Sequence, residues 1–181
     1  DRPYLTMNFG VEADIIRALG KITANGHLVK GYKPVYWSVV GGSALAEAEV
    51  EYQDKTSFSI DVAYPVTDSK QLDKLSIAFG GVPGEGEINV LIWTTTPWTI
   101  PSSQAISMGA ELEYSLVQCA TASGSMRLIC SQLLLESVME RLEIADYKVL
   151  ASCQGEALEN LVADHPFYDR KIPVLLGDHV T

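Results

Sequence analysis

Ile88-Asn89-Val90-Leu91-Ile92-Trp93-Thr94-Thr95-Thr96-Pro97-Trp98-Thr99-Ile100-Pro101-Ser102-Ser103 is the stretch whose reading decides the fold. Residues 88–93 are nearly all apolar, the pattern of a strand buried on both faces. Thr94, Thr95 and Thr96 follow, and then Pro97. Proline has a fixed φ and pushes the residue before it out of the helical region, so the strand stops there. A threonine before proline also opens a helical turn well, with Thr96 as cap and Pro97 as first residue. A buried strand that runs into a helix start gathers backbone N–H groups and hydroxyls around one small volume. The same letters admit a plainer reading, because threonine favours strands and Thr-Pro-Trp also suits an edge strand ending in a turn.

Working back from Ile88, Gly80-Gly81-Val82-Pro83-Gly84-Glu85-Gly86 is a loop by composition. It has the glycines of a phosphate cradle but neither the closing Lys-Ser/Thr pair nor a helix behind it, so it reads as a hairpin connection. Residues 68–74 suit a short surface helix. In residues 57–64, Phe58, Ile60, Val62 and Tyr64 alternate with Ser57, Ser59, Asp61 and Ala63, which predicts a strand. Residues 44–52 are ambiguous. Alanine and glutamate favour a helix, the alternation favours a strand, and a strand is expected for the second half. Glu47, Glu49 and Glu51 read as a solvated face at period two rather than as a carboxylate site. Gly41-Gly42 predicts a turn. The clearest helix spans 11–24, with Ile15, Leu19 and Ile22 on one face and Asn25-Gly26 as its stop. His27 lies past that stop with no second ligand near it, and reads as a surface or capping residue.

Downstream, 114–119 and 126–130 predict a hairpin across 120–125. Residues 131–142 predict a helix with Leu134, Val138 and Leu142 (and Leu135) inward and Ser131 as cap. A strand at 147–151, a helical turn at 156–161 and a last strand at 172–176 complete the chain. The expected fold class is mainly β with peripheral helices, an α+β chain. Strands recurring about every 10–15 residues suggest a closed or nearly closed β-barrel.

The 181 residues suffice for one domain with a sizeable core and an extra arm. A hydrophobic content of 47% and a charged content of 20% are ordinary for a globular chain. No apolar run approaches the ~20 residues that cross a bilayer, so no membrane partner is expected. Cys119, Cys130 and Cys153 are odd in number and widely spaced, which indicates neither a disulfide framework nor a zinc site and fits a reducing cytoplasm. The net charge of −10 argues against a free-standing nucleic-acid binder, because the basic pairs Lys30/Lys33, Lys70/Lys74 and Arg170/Lys171 are scattered. The chain opens on Asp1 rather than Met, and is expected to be cut from something longer.

Trp93-Thr94-Thr95-Thr96-Pro97-Trp98-Thr99-Ile100-Pro101 closely resembles the threonine-rich signature of the isoleucyl-tRNA synthetases, in the inserted domain that hydrolyses mischarged tRNA. The valyl and leucyl relatives carry a Thr-Thr-Arg-Pro version of the turn, so Thr-Pro-Trp-Thr points to the isoleucyl branch. Tyr4-Leu5-Thr6-Met7, Ile15-Ile16-Arg17-Ala18-Leu19, the stretch from Ser43 to Tyr52, and His165-Pro166-Phe167 resemble the same family, so the likeness spans nearly the whole chain. It implies an arm at 1–36, leading in from the synthetic domain, and an editing domain at 37–181 of the β-barrel type shared by the isoleucyl, valyl and leucyl enzymes. Where family members have Trp-Cys-x-x-Cys, this chain has Trp37-Ser38-Val39-Val40-Gly41.

The resemblance further implies that Thr94, Thr95 and Thr96 are the catalytic groups. They would position a water or the terminal ribose, with backbone N–H groups of the turn stabilising the oxyanion. Trp93 and Trp98 would wall the pocket, although both also read as plain core aromatics. Ser103 stands where the family has Asn, and is the third substrate-binding candidate. No Ser/His/Asp or Cys/His relay is visible, and a covalent step is not expected. The implied substrate is the 3′ end of tRNA(Ile) carrying valine, and the implied partner is the rest of the synthetase. Editing would need no cofactor or metal. ATP and Mg belong to the full-length ligase, whose nucleotide-binding signatures lie outside this span. The family continues past residues 177–181 with a His and an Asp that complete the site; His179 is not that histidine. A catalytically inert spacer or tRNA-contacting module is the alternative.

Overall fold

The structure, a computed structural model, describes residues 3–121 and 124–180. It divides the chain into two compact units, residues 1–55 and 56–181. That division differs in kind from the boundary after Tyr36, which follows family resemblance.

In the first unit, helix α1 (Phe9–Ala24) begins where Asn8 accepts a hydrogen bond from the Gly10 N–H, and ends at Asn25. Ile15, Ile16, Leu19 and Ile22 share its apolar side, yet all four are exposed. His27 is exposed and closes the helix stop through its backbone N–H, which donates to the Ile22 carbonyl at 3.2 Å. Strands β1 (Tyr36–Ser38) and β2 (Ser43–Leu45) pair antiparallel across the Gly41-Gly42 turn. The strand expected in the second half of 44–52 does not form: Glu47–Glu49 is a 3-10 turn. The Glu49 carboxylate accepts the Ala46 N–H at 2.8 Å, so local capping and the propensities of Ala and Glu prevail over the alternation. Glu47, Glu49 and Glu51 are exposed, as their spacing suggests.

The second unit holds strands β3 (Ile60–Pro65), β4 (Glu87–Thr94), β5 (Ile106–Met108), β6 (Glu113–Thr121), β7 (Gly124–Ser131), β8 (Tyr147–Gln154), β9 (Val162–Asp164) and β10 (Lys171–Leu176), with helices α2 (Ser69–Phe79) and α3 (Leu135–Arg141). One sheet has the order β3-β4-β7-β6-β8, parallel at β4/β7 and antiparallel elsewhere. A second has the order β5-β10-β9. The fold is thus mainly β with a few helices.

Alternation sorts the core into two layers. Tyr64, Ile88, Val90, Leu116 and Ile129 face the small sheet's Ile106, Ile172 and Val174, together with Leu75 and Phe79 of α2. Val117, Cys119, Leu128 and Cys130 face the other way, onto Leu135, Val138 and Met139 of α3, with Leu91 beside them. Strand β4 is therefore covered on both faces, which is why its sequence is a continuous apolar run rather than an alternating one.

Several expected elements change length for local reasons. β3 starts at Ile60 rather than Ser57, because Ile60 pairs with Thr94, the last residue of β4. The surface helix at 68–74 extends to Phe79 and buries Leu75 and Phe79. Ser131 makes no side-chain cap: residues Gln132–Leu134 form a 3-10 turn first, and α3 begins only at Leu135. The hairpin of β6 and β7 forms as expected. Residues 122 and 123 of its tip lie outside the described residues, as do 1, 2 and 181. β5 and β9 are too short to show a period, and carry no sequence signal of their own.

The glycine loop before β4 is held in place. The Arg127 guanidinium donates to the carbonyls of Val82, Pro83 and Gly86, and Gln118 accepts the Glu85 N–H. Gly86 has φ +87°, and a Cβ there would meet the Ser125 carbonyl oxygen at 2.0 Å.

Burial pushes the Cys130 thiol from the ordinary 9.0 up to about 12, and the Cys153 thiol to about 11. Below pH ~9 both folded and unfolded chains keep these protons. Above it the unfolded chain releases them first, so stability falls as pH rises. Urea midpoints measured between about pH 8 and about pH 10.5 are expected to decline, and to decline less steeply in Cys130→Ala. Parallel curves for the two proteins would contradict this.

Candidate functional site

Strand β4 delivers Thr94 to the edge of the core, and the chain bends at Thr95. Pro97–Ser102 then forms a 3-10 turn with Pro97 at its start. Thr96 has φ −123° and ψ 61°, outside the helical region as a residue before proline must be. The expected side-chain cap by Thr96 is absent. Instead Thr94 Oγ1 accepts the Thr96 N–H at 3.0 Å and so caps the bend from two residues back.

Three hydroxyls converge as a result. Thr96 Oγ1 lies 3.2 Å from Thr94 Oγ1 and 3.4 Å from Thr99 Oγ1. Thr99 Oγ1 donates to the Thr96 carbonyl at 2.8 Å, so its hydrogen is committed and Thr96 must be the donor in the long contact between them. The Thr96 N–H and the Thr99 N–H are also spent within the turn. Donors for a ligand therefore come from hydroxyls rather than from these two amides, which narrows the oxyanion role expected of the backbone. Thr94 is half-buried, while Thr95 and Thr96 are exposed. Thr95 stands beside the cluster with no side-chain hydrogen bond among the described residues.

The tryptophans do not enclose this cluster as core aromatics would: Trp93 is 54% exposed and Trp98 73%. Trp93 instead borders a cleft of about 540 Å³ lined also by Leu91, Met108, Val138, Asp61 and Arg141. Ser103 is half-buried, and its N–H closes the turn onto the Ile100 carbonyl at 2.9 Å. His179 is exposed. Among the described residues no three His, Cys, Asp or Glu side chains come together to hold a metal. No helix there is long and apolar enough to cross a membrane.

Two residues that spacing alone did not single out support the turn from the loop between β9 and β10. His165 is 5% exposed, and its Nε2 lies 2.9 Å from the Ile100 carbonyl oxygen. The Arg170 guanidinium donates to the Pro101 carbonyl at 2.6 Å. Their signal in the sequence is weak, because 65 residues separate His165 from Ile100.

Residues 1–164 match the family of class I tRNA synthetases (I, L, M and V). The isoleucine–tRNA ligase of Hahella chejuensis is 60% identical over 180 residues, covering 99% of this chain and 19% of that protein. The isoleucine–tRNA ligase of Teredinibacter turnerae is 61% identical over 181 residues, covering all of this chain and 19% of that protein. The chain thus spans about a fifth of the length of the curated relatives it matches. A solved structure described as "The crystal structure of GlLeuRS-CP1" aligns with a TM-score of 0.55 at 13% identity, covering 68% of this chain and 50% of that one. This second likeness speaks to the fold alone.

The cleft is braced by an ion pair. Arg141 of α3 donates through Nε and a terminal nitrogen to both Asp61 oxygens of β3, each at 2.7 Å. The Asp61 side chain is 6% exposed and that of Arg141 37%. Removing arginine strands the buried charge, whereas removing the carboxylate leaves a cation that water still reaches. Arg141→Met is therefore expected to cost about 2 kcal/mol in chemical denaturation and Asp61→Asn under about 1. Equal losses would show that the pair is solvent-screened on both sides.

Proposed function

The chain belongs to the class I tRNA synthetases of the I, L, M and V group, and on that premise we propose that it is the editing insertion of an isoleucine–tRNA ligase, hydrolysing the ester of valyl-tRNA(Ile). The observation that carries this reading is the convergence of the Thr94, Thr96 and Thr99 hydroxyls, with Thr95 exposed beside them, where β4 leaves the core. Residues 1–36 are read as the arm from the synthetic domain. The two sheets around one core are read as the barrel-type framework of the editing domains.

The need for such a site follows from the size of one methylene. It is worth only ~1–3 kcal/mol of discrimination, isoleucine against valine being the standard example, so a single pocket passes the smaller amino acid too often. A second site that admits valine and rejects isoleucine removes the error by hydrolysis. Water adds to the ester carbonyl carbon, and the tetrahedral oxyanion collapses with release of the ribose hydroxyl, giving free valine and tRNA. No protein nucleophile enters that scheme. Thr96 offers its hydroxyl at the mouth of the turn, Thr95 offers a second, and Thr94 holds the bend that aims them. Trp98, exposed on the turn itself, is placed to pack on the terminal adenosine or the aliphatic acyl group. Hydrolysis calls for no cofactor, whereas ATP and Mg serve the ligation step of the whole enzyme.

Binding of the tRNA body is assigned to the remainder of the synthetase, because a chain of net charge −10 is a poor counterion for phosphates. The exposure of the cluster and of both tryptophans favours a second reading, an inert module, if nothing else closes over the site.

Deacylation of mischarged valyl-tRNA(Ile) separates the two, assayed on this chain and on a form extended past residue 181. Hydrolysis by the extended form that falls about 10²-fold in Thr96→Ala and in Thr95→Ala is the expected result. No hydrolysis by either form would leave the module reading standing and this one refuted.

A further inference from the structure

We propose that His165 is a positioning residue for the threonine turn, its Nε2–H holding the Ile100 carbonyl so that the Thr94, Thr96 and Thr99 hydroxyls keep their mutual geometry. The turn has reason to need an outside support. Pro97 and Pro101 both lie within Pro97–Ser102, and neither has an N–H to give to the turn's ladder. Its two ends are closed by backbone bonds from the Thr99 N–H to the Thr96 carbonyl and from the Ser103 N–H to the Ile100 carbonyl.

The ring nitrogens of His165 have distinct jobs. Nδ1 lies 3.1 Å from the Phe167 N and 3.3 Å from the Tyr168 N, and both of those groups are donors. Nδ1 is therefore the acceptor, and the ring hydrogen sits on Nε2, facing the Ile100 carbonyl at 2.9 Å. The ring is fenced by Tyr64 and Phe167 edge-on, at 6.2 and 5.7 Å between centroids, and by Tyr168 at 5.1 Å. Ile100 itself is 3% exposed, and its carbonyl takes both the Ser103 N–H and the His165 Nε2–H, one from within the turn and one from outside it. Arg170 takes the next carbonyl, that of Pro101, and lies over the Tyr168 ring at 5.8 Å. Two consecutive carbonyls of the turn are thus gripped from one loop. A misplaced turn would scatter the hydroxyls by the fraction of an ångström that orientation-dependent catalysis does not tolerate.

The rival role is local: through Nδ1, His165 merely closes its own loop at Phe167 and Tyr168. Two substitutions separate the roles because each keeps one nitrogen's function. In His165→Gln the amide N–H reaches the Nε2 position and restores the donor to Ile100. In His165→Asn the amide oxygen takes the Nδ1 position and restores only the acceptor for Phe167 and Tyr168. His165→Ala removes both.

The experiment is done on the full-length polypeptide that contains these residues. It combines hydrogen exchange of the 96–103 segment with kcat and KM for valyl-tRNA(Ile) deacylation. Expected is faster exchange of 96–103 in His165→Ala and His165→Asn, with β6 unchanged, and recovery of protection in His165→Gln. The activity arm rests on the hydrolytic reading above. There kcat should fall about tenfold or more in the Ala and Asn variants, with KM little moved, and His165→Gln should rescue most of it. Protection and kcat restored by Asn but not by Gln would overturn positioning in favour of the local role. So would equal loss in both variants accompanied by a lower Tm. Exchange needs no substrate. A wild-type protein that hydrolyses nothing therefore refutes the editing reading, while the exchange pattern still decides the role of His165.

Discussion

Burial of β4 on both faces is the constraint from which the second unit follows. Ile88 and Val90 need a layer on one side and Leu91 needs one on the other, so a sheet covered on a single face would leave apolar surface in water. Helix α3 supplies the cover on one face, and the small sheet with α2 supplies it on the other. Where that double cover ends, the chain has nothing apolar left to pair. Three threonines and a proline take over at that point. The position of the hydroxyl cluster is therefore a consequence of where the core stops, rather than an independent feature of a surface loop.

Hydroxyls at such a margin serve two purposes that compete. Each one spent on the backbone stiffens the bend, and each one left over is available to a ligand. Thr94 and Thr99 are on the stiffening side, since one accepts the Thr96 N–H and the other donates to the Thr96 carbonyl. Thr96 has only the longer hydroxyl contacts, at 3.2 and 3.4 Å, and Thr95 has none among the described residues. The four threonines are equivalent in composition, yet hydrogen-bond accounting divides them into a scaffold and a working pair.

That division marks the limit of what the letters conveyed. The apolar run of 88–93 and the break at Pro97 were legible, because burial on two faces and the geometry of proline act within a few residues. So was the hairpin of β6 and β7. The short strands β5 and β9 were not, since three residues carry no period and owe their extended form to β10 between them. Residues 44–52 misled for the opposite reason: a clear alternation had no partner strand to satisfy, and the Glu49 carboxylate captured the Ala46 N–H instead. At the site, the threonines announced themselves by crowding. His165 and Arg170 did not, because their contacts with the Ile100 and Pro101 carbonyls form only after the chain has folded back over more than sixty residues.

On the editing function proposed above, two aliphatic groups differing by one methylene would be separated by exclusion, and exclusion demands a wall that does not yield. Hydroxyls on a short turn with two prolines, neither of which has an N–H to give, would make a poor wall by themselves. The rigid parts nearby are β4, anchored by the core, and the β9–β10 segment, anchored through Ile172 and Val174. The turn is strung between these two supports, covalently attached to the first and hydrogen-bonded to the second through consecutive carbonyls. Such an arrangement leaves the hydroxyls at the surface, where a ligand can reach them, while their backbone takes its rigidity from layers it does not belong to. Accessibility and stiffness, which usually trade against each other in loops, are reconciled here by holding the turn through its carbonyl edge and leaving its hydroxyl edge open.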